Sequence, residues 1–225
     1  MFYDPTFLLI LPALALALYA QFKVKGTYEK YSKVPCSRGY TGAQVARYIL
    51  DDFRLQNITV EPIAGDLTDN YDPRERKLRL SQGVYESNSV AAIGVAAHEA
   101  GHAIQDAKSY APLKLRNGLV PVTNLGTTLA FPLFLVGLFA GIPKLMDLGI
   151  LFFSLAVIFS VITLPVEFNA SRRAIRVLTD GHFLMDKELA MAKEVLNAAA
   201  LTYVAATAMA VLNLVRLLIL RGQRD

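Results

Sequence analysis

The stretch LGILFFSLAVIFSVITL, residues 148–164, contains no charged side chain. Three further stretches are strongly apolar and nearly free of charge, namely residues 7–20, 119–142 and 198–220. Each approaches the roughly 20 residues that a helix needs to cross a bilayer. The 225-residue chain is also 54% hydrophobic and only 19% charged, which is more apolar than a typical soluble domain. We therefore expect four membrane helices.

The charges around the first apolar stretch predict its orientation. No Lys or Arg precedes it, whereas four lysines follow it between residues 23 and 33. A cleaved signal peptide has the opposite arrangement, so we interpret this stretch as a retained anchor. Basic residues beside a span tend to stay in the cytoplasm. The N-terminus is therefore expected outside a multi-pass cell-membrane protein, with the polar regions on the cytoplasmic side.

These patterns predict five segments and a mainly α fold. The segments are an N-terminal transmembrane anchor (1–22), a cytoplasmic domain (23–117), a transmembrane hairpin (118–165), a cytoplasmic segment (166–197) and a C-terminal membrane helix with its tail (198–225). Because Asn213 and Arg216 interrupt the last apolar run, that helix either crosses fully or packs at a shallow depth. We expect multi-span membrane helices with a small α+β domain at the membrane surface.

Composition argues against several kinds of partner and site. The net charge of +4 is explained by Lys and Arg beside the spans, and basic and aromatic residues are not interleaved. We therefore expect a lipid bilayer as a partner and no nucleic acid. The single cysteine, Cys36, excludes an internal disulfide and a cysteine-rich zinc site.

The polar region between the first span and the hairpin predicts helices and little strand. Thr41-Gly42-Ala43-Gln44 is typical of a capping box and predicts a helix that ends near Leu55. Residues 65–73, rich in Asp, Asn and Gly, predict a loop with turns. Leu78, Arg79 and Leu80 alternate in polarity, which predicts a half-buried edge strand that can pair with an extended substrate.

A metal-binding pattern lies in the next predicted helix, which runs from Val90 to about Asp106 after the N-cap candidates Ser87-Asn88-Ser89. It contains His98-Glu99-Ala100-Gly101-His102. Residues four apart stand on one helix face, so both imidazoles can hold one Zn²⁺ ion. Glu99 points away from that pair, which predicts a general base that takes a proton from water.

A catalytic zinc site needs a third protein ligand and leaves one position for water. Glu167 follows the hairpin, and two spans return it to the side of the histidine motif. His182, Glu188 and Glu194 are the alternatives, and His182 is the strongest of them. His182 can instead be the donor that stabilises a developing oxyanion. The same donor role is open to Tyr85, Tyr110 and Arg172.

The motifs carry a resemblance over nearly the whole chain. They are Asp72-Pro73-Arg74, Leu78-Arg79-Leu80-Ser81, Ala97 to Ala103, and Leu164-Pro165-Val166-Glu167-Phe168. With the N-terminal anchor, they resemble the YugP-like family of prokaryotic membrane zinc peptidases. More distantly, the chain is similar to the HtpX and CAAX-prenyl peptidase group. That resemblance implies a gluzincin-like site with Glu167 as the third zinc ligand.

One position departs from the distant group. Four residues beyond the ligand glutamate, that group usually has an acid that braces a zinc-binding histidine, whereas this chain has Ser171. A serine can accept the same hydrogen bond more weakly, and Asn169 or Asp180 can also replace the acid. Such partners fix the orientation of the imidazole ring.

The chemistry predicts a membrane-embedded zinc metalloendopeptidase. Its substrates are expected to be proteins or peptides, with membrane proteins among its substrates or partners. Two other hypotheses are a non-catalytic membrane scaffold or regulator clamped by zinc, and a zinc hydrolase of a non-peptide amide or lipid-linked substrate. Glu99 argues against the scaffold, because a structural site fills all four positions and needs no adjacent acid.

Overall fold

The computed structural model describes residues 5–223. A short 3₁₀ helix, Pro5–Ile10, is followed by seven α-helices and three strands. In chain order these are α1 (Leu11–Tyr31), α2 (Gly42–Asp52), β1 (Thr59–Ile63), β2 (Asn70–Asp72), β3 (Lys77–Ser81), α3 (Gln82–Tyr85), α4 (Val90–Ala107), α5 (Ala111–Ala140), α6 (Pro143–Asp180) and α7 (Asp186–Gly222). The outer ends of the first and last predicted segments, residues 1–4 and 224–225, lie outside the described residues.

Four helices are long and apolar enough to cross a membrane. They are Thr6–Tyr31, α5, α6 and α7. This confirms the predicted fold class, a mainly α membrane protein with a small α+β part. The apolar ends of these helices form one compact unit, which comprises residues 5–21, 114–165 and 201–223 of the described chain.

Within this unit, glycine permits close packing of α5 against α6. A Cβ at Gly149 would lie 2.7 Å from both the carbonyl oxygen of Ala130 and the amide nitrogen of Phe134. The polar residue that interrupts the last apolar run is also used in packing. Helix α7 continues through Arg216, and Arg216 Nε donates to Thr6 Oγ1 at 3.3 Å.

The second unit comprises residues 22–113 and 166–200. Its helix α2 begins with the predicted capping box, because Thr41 Oγ1 accepts from the Gln44 amide and the Gln44 side chain accepts from the Thr41 amide. One apolar core joins α2, the sheet and α4 to the ends of α6 and α7 that belong to this unit.

The sheet has the order β1-β3-β2. β3 pairs in parallel with β1 along its whole length and antiparallel with β2 from Lys77 to Arg79. The prediction of an edge strand is therefore wrong at Leu78 and Arg79, which have strand neighbours on both sides, whereas Leu80 pairs with β1 only. Polarity alternation reports that one face is buried, not how many neighbours a strand has. β2 itself lies within the predicted loop.

Helix α6 also differs from the sequence prediction. The predicted end of the hairpin at residue 165 lies inside α6, which continues through Pro165. The apolar run and Glu167 therefore share one helix. A proline inside a helix removes one backbone hydrogen bond without necessarily ending the helix, because packed neighbours can hold it.

Candidate metal centre

Helix α4 presents both motif histidines on one face. It begins at an N-cap in which Ser89 Oγ accepts from the Ala92 amide at 3.2 Å, and most of its residues are small and buried. The rings of His98 and His102 have centroids 4.8 Å apart and lie nearly perpendicular, at 87°. Two ring nitrogens can thus approach one point from different directions.

A glycine allows α6 to come close to this face. A Cβ at Gly101 would lie 2.7 Å from the carbonyl oxygen of Ala170, a distance that real Cβ atoms do not adopt. The close approach sets Glu167 beside both histidines. Its Oε2 lies 3.2 Å from His98 Nε2 and 3.5 Å from His102 Nε2.

The three side chains fit a zinc ion. Their ligand atoms all lie within 4.8 Å of one another. Tetrahedral zinc with bonds of roughly 2.0–2.1 Å separates neighbouring ligand atoms by about 3.3 Å, close to both carboxylate-to-imidazole distances. Two nitrogens and one oxygen are also a donor set that zinc accepts, and three protein ligands leave a fourth position for water. The structure thus brings together the three predicted ligands.

Ser171 contacts the first of these histidines. Its Oγ lies 3.1 Å from His98 Nδ1, the ring nitrogen that does not face Glu167. The two alternatives for this position have other partners: Asn169 Oδ1 accepts from Arg173 Nε, and Asp180 lies beside Arg176. Ser171 therefore occupies the place from which the His98 ring can be oriented.

The second histidine is oriented by Gln105, which sequence reasoning missed. Arg173 Nε can only donate, and it bonds Asn169 Oδ1 at 2.7 Å. Gln105 Nε2 donates to that same oxygen at 3.0 Å and to Val166 O at 2.8 Å. Gln105 Oε1 must then accept from His102 Nδ1, which lies 3.0 Å away. This leaves the Nε2 lone pair of His102 for a metal.

A signal for Gln105 is present in the sequence. It lies three residues after His102 and seven after His98, a spacing that puts all three on one helix face. Gln105 is fully buried, and a buried amide needs hydrogen-bond partners.

Glu99 is buried beside the three candidate metal ligands. Burial raises the pKa of its carboxyl, and the negative charges of Glu167 and Asp69 add to the rise, whereas His98 and a backbone hydrogen bond from Tyr71 oppose it; together these effects bring the pKa to about 7. A carboxyl with a pKa near neutrality can both accept and release a proton at physiological pH.

The structure contradicts the predicted role of His182. This residue lies in the turn after α6, and the helix continues from Glu167 to Asp180 before that turn. At a rise of 1.5 Å per residue, the separation along the helix is about 20 Å. His182 is therefore too far from Glu167 to be a ligand or an oxyanion donor at this site.

The two distant acids have structural partners instead. Glu188 accepts hydrogen bonds from the amide and the hydroxyl of Ser37. Glu194 accepts from the Tyr31 hydroxyl at 2.6 Å. Neither acid belongs to the group of possible metal ligands found among the described residues.

The remaining candidate donors stay unassigned. Tyr110 packs near the Arg173 guanidinium, 6.0 Å from it, and Arg172 Nε donates to Phe168 O at 3.4 Å. Tyr85 ends the short helix α3. None of the three belongs to the group formed by His98, His102 and Glu167.

Comparison with known proteins agrees with this chemistry. A family model described as "Putative neutral zinc metallopeptidase" matches residues 6–222. The chain is 50% identical over 208 residues to a Bacillus subtilis (strain 168) protein named "Putative membrane protease YugP", an alignment that covers 92% of each chain. No solved structure matches the chain significantly.

Proposed function

The chain belongs to the zinc metallopeptidase family whose model it matches, and from this premise we propose that it is a membrane-embedded endopeptidase of the HExxH, gluzincin-like class. His98, His102 and Glu167 are the ligands of one zinc ion, and Glu99 is the general base. The observation that carries the proposal is that these three donors converge beside the buried carboxyl of Glu99, which lies on the same helix as His98 and His102.

The residues have separate chemical roles. When bound, zinc supplies Lewis acidity, which polarises a peptide carbonyl and lowers the pKa of a water molecule. Glu99 accepts the proton of the attacking water and passes it to the leaving amine, a role that suits a buried carboxyl beside the three ligands. Ser171 and Gln105 hold the two imidazoles so that both Nε2 atoms face Glu167.

The edge of β2 that does not pair with β3 offers a place for the substrate backbone. β2 is an edge strand, and the backbone of Tyr71 hydrogen-bonds Glu99, so the side of β2 not paired with β3 faces the base. Main-chain hydrogen bonds with an extended peptide suit such an edge. We assign substrate pairing to Asn70–Asp72 in place of β3.

The site is proposed to act on the cytoplasmic side. The supporting observation is the lysine-rich segment between residues 23 and 33 and the arginines at 172, 173 and 176, because basic residues beside spans favour the cytoplasm. Proteins or peptides at the membrane are the proposed substrates, with membrane proteins among them.

The test separates the catalytic site from a zinc-clamped scaffold. The wild type and the Glu99→Gln and His98→Ala variants are purified in neutral detergent, zinc is counted by elemental analysis, and cleavage of labelled casein and a quenched peptide library is measured. We expect one zinc per chain and cleavage in the wild type, zinc without cleavage in Glu99→Gln, and neither in His98→Ala. Unchanged cleavage by Glu99→Gln would refute the assigned base.

A further inference from the structure

The second unit also contains a concave site that is distinct from the candidate metal centre. A cavity of about 440 Å³ is lined by residues of α4 and α6 together with Phe53, which follows α2. Four of its lining residues are cations: Lys108, Arg172, Arg173 and Arg176. None of the three proposed zinc ligands lines it, so the cavity is separate from the metal site.

The cations of this cavity are poorly balanced by acids. Asp180 is the one carboxylate in the lining, and it pairs with Arg176 at 3.5 Å. Among the described residues, Lys108, Arg172 and Arg173 form no salt bridge. Three positive charges remain after the single acid is subtracted from four cations. Like charges spaced three or four residues apart on a helix repel each other, so a bound anion would stabilise this arrangement.

Part of the lining is already held in position. Arg173 uses its Nε to donate to Asn169 Oδ1 at 2.7 Å, and among the described residues its terminal nitrogens donate no hydrogen bond. Lys108 Nζ lies 5.2 Å from the centre of the Phe53 ring. A guanidinium fixed at one edge presents a planar pair of donors, a geometry that suits the oxygens of a phosphate group.

The arrangement differs from an ordinary row of basic residues beside a span. Such rows influence membrane topology through the number of their basic residues, and the side chains need not point toward a common site. Here a lysine from the end of α4 and three arginines from α6 line the same cavity, with Phe53, Ile104 and Val177 as apolar neighbours. Cations beside apolar side chains suit a ligand that combines an anionic group with a less polar part.

We propose that this cavity binds a phosphate group, carried either by an anionic lipid or by a soluble phosphate compound. The site does not depend on the proposed peptidase activity, because it includes neither the metal ligands nor Glu99. Its nearest link to them is the hydrogen-bonded series Arg173, Asn169, Gln105 and His102.

The experiment measures thermal stability of the full chain in dodecyl maltoside by circular dichroism at 222 nm. In one arm, inorganic phosphate is titrated against chloride at matched ionic strength. In the other, phosphatidylglycerol is added to the micelles and compared with phosphatidylcholine. The cavity variant carries Lys108→Gln and Arg176→Gln, and the matched control carries Lys33→Gln and Arg38→Gln. All four positions are exposed, and both variants lose two positive charges.

A ligand that binds only the folded state raises the midpoint with its concentration. We expect this rise in the wild type and the control, and a requirement for at least about 10-fold more ligand in the cavity variant. A rise with inorganic phosphate identifies a soluble source, and a rise with phosphatidylglycerol alone identifies the lipid headgroup. Arg172→Gln is a second, single-charge variant with the same expected direction. No rise in the wild type, or equal loss in cavity and control variants, overturns the proposal.

Discussion

Glu167 Oε2 lies 3.2 Å from His98 Nε2, although the two residues are 69 positions apart in the chain and a predicted membrane hairpin lies between them. Both residues belong to the second unit, one on α4 and one on α6. The proposed metal site is therefore a tertiary feature that requires the correct packing of two helices, and the candidate ligands separate if either helix moves.

Replacement of Glu167 by alanine is expected to weaken metal binding while the fold persists. Two histidines on one helix face can still bind zinc, but the loss of a charged ligand should weaken affinity by about 100-fold or more. Competition with a chromophoric chelator measures the affinity, and far-ultraviolet circular dichroism checks the fold. The control is Glu86→Ala, an exposed acid. Wild-type affinity in the Glu167 variant would exclude this residue as a ligand.

Gly101→Ala tests the close approach of the two helices. The new Cβ would lie 2.7 Å from a backbone oxygen, and a backbone neighbour cannot simply rotate away. We expect overpacking to destabilise the protein by about 1–3 kcal/mol and to reduce zinc affinity, because α6 carries Glu167. Gly26→Ala is the control, since nothing lies within 4 Å of the added carbon there.

Gln105→Leu tests the orientation of His102. Leucine keeps most of the volume but can neither accept from His102 Nδ1 nor donate to Val166 O, so we expect zinc affinity to fall by about 10–100-fold. Cobalt substitution gives a second readout, because a misplaced imidazole alters the visible absorption of bound Co²⁺. Gln56→Leu, at an exposed position, is the control. Unaltered affinity and spectrum in Gln105→Leu would show that the amide is only a packing residue.

The sequence predicted what local patterns determine. The lengths of the apolar runs predicted the membrane helices, and the Thr41 capping box predicted the start of α2. The spacing of His98 and His102 predicted that the two histidines share one helix face. Each of these features depends on residues that are close together in the sequence, so periodicity and capping rules are sufficient to predict it.

The features that were missed depend on tertiary contacts. β2 has only three residues in a stretch rich in turn formers, and it is a strand because β3 lies beside it. The position of β3 in the centre of the sheet depends on its pairing with β1, which no local pattern reports. Gln105 gains its role from Asn169 and Val166, which α6 brings to it.

The stability of the metal-free protein is expected to depend on the ionisation of Glu99. Burial raises the pKa of Glu99 from 4.5 to about 7, so between these values the folded state binds more protons than the unfolded state. Stability should therefore fall as pH rises through this window. Glutamine is neutral at every pH and removes this dependence. In the presence of EDTA, Glu99→Gln should match the wild type below about pH 4.5 and exceed it above pH 7 by up to about 3 kcal/mol.

The difference in stability between the wild type and Glu99→Gln is measured from the thermal midpoints of both proteins at pH 4 to 8. The difference should open between pH 4.5 and 7 and then remain constant, because the carboxyl is fully ionised above its folded-state pKa. Added zinc should reduce the advantage of the glutamine variant, since a nearby divalent cation favours the ionised carboxylate. A difference that is independent of pH would mean that Glu99 is not held in a desolvated position beside the metal ligands.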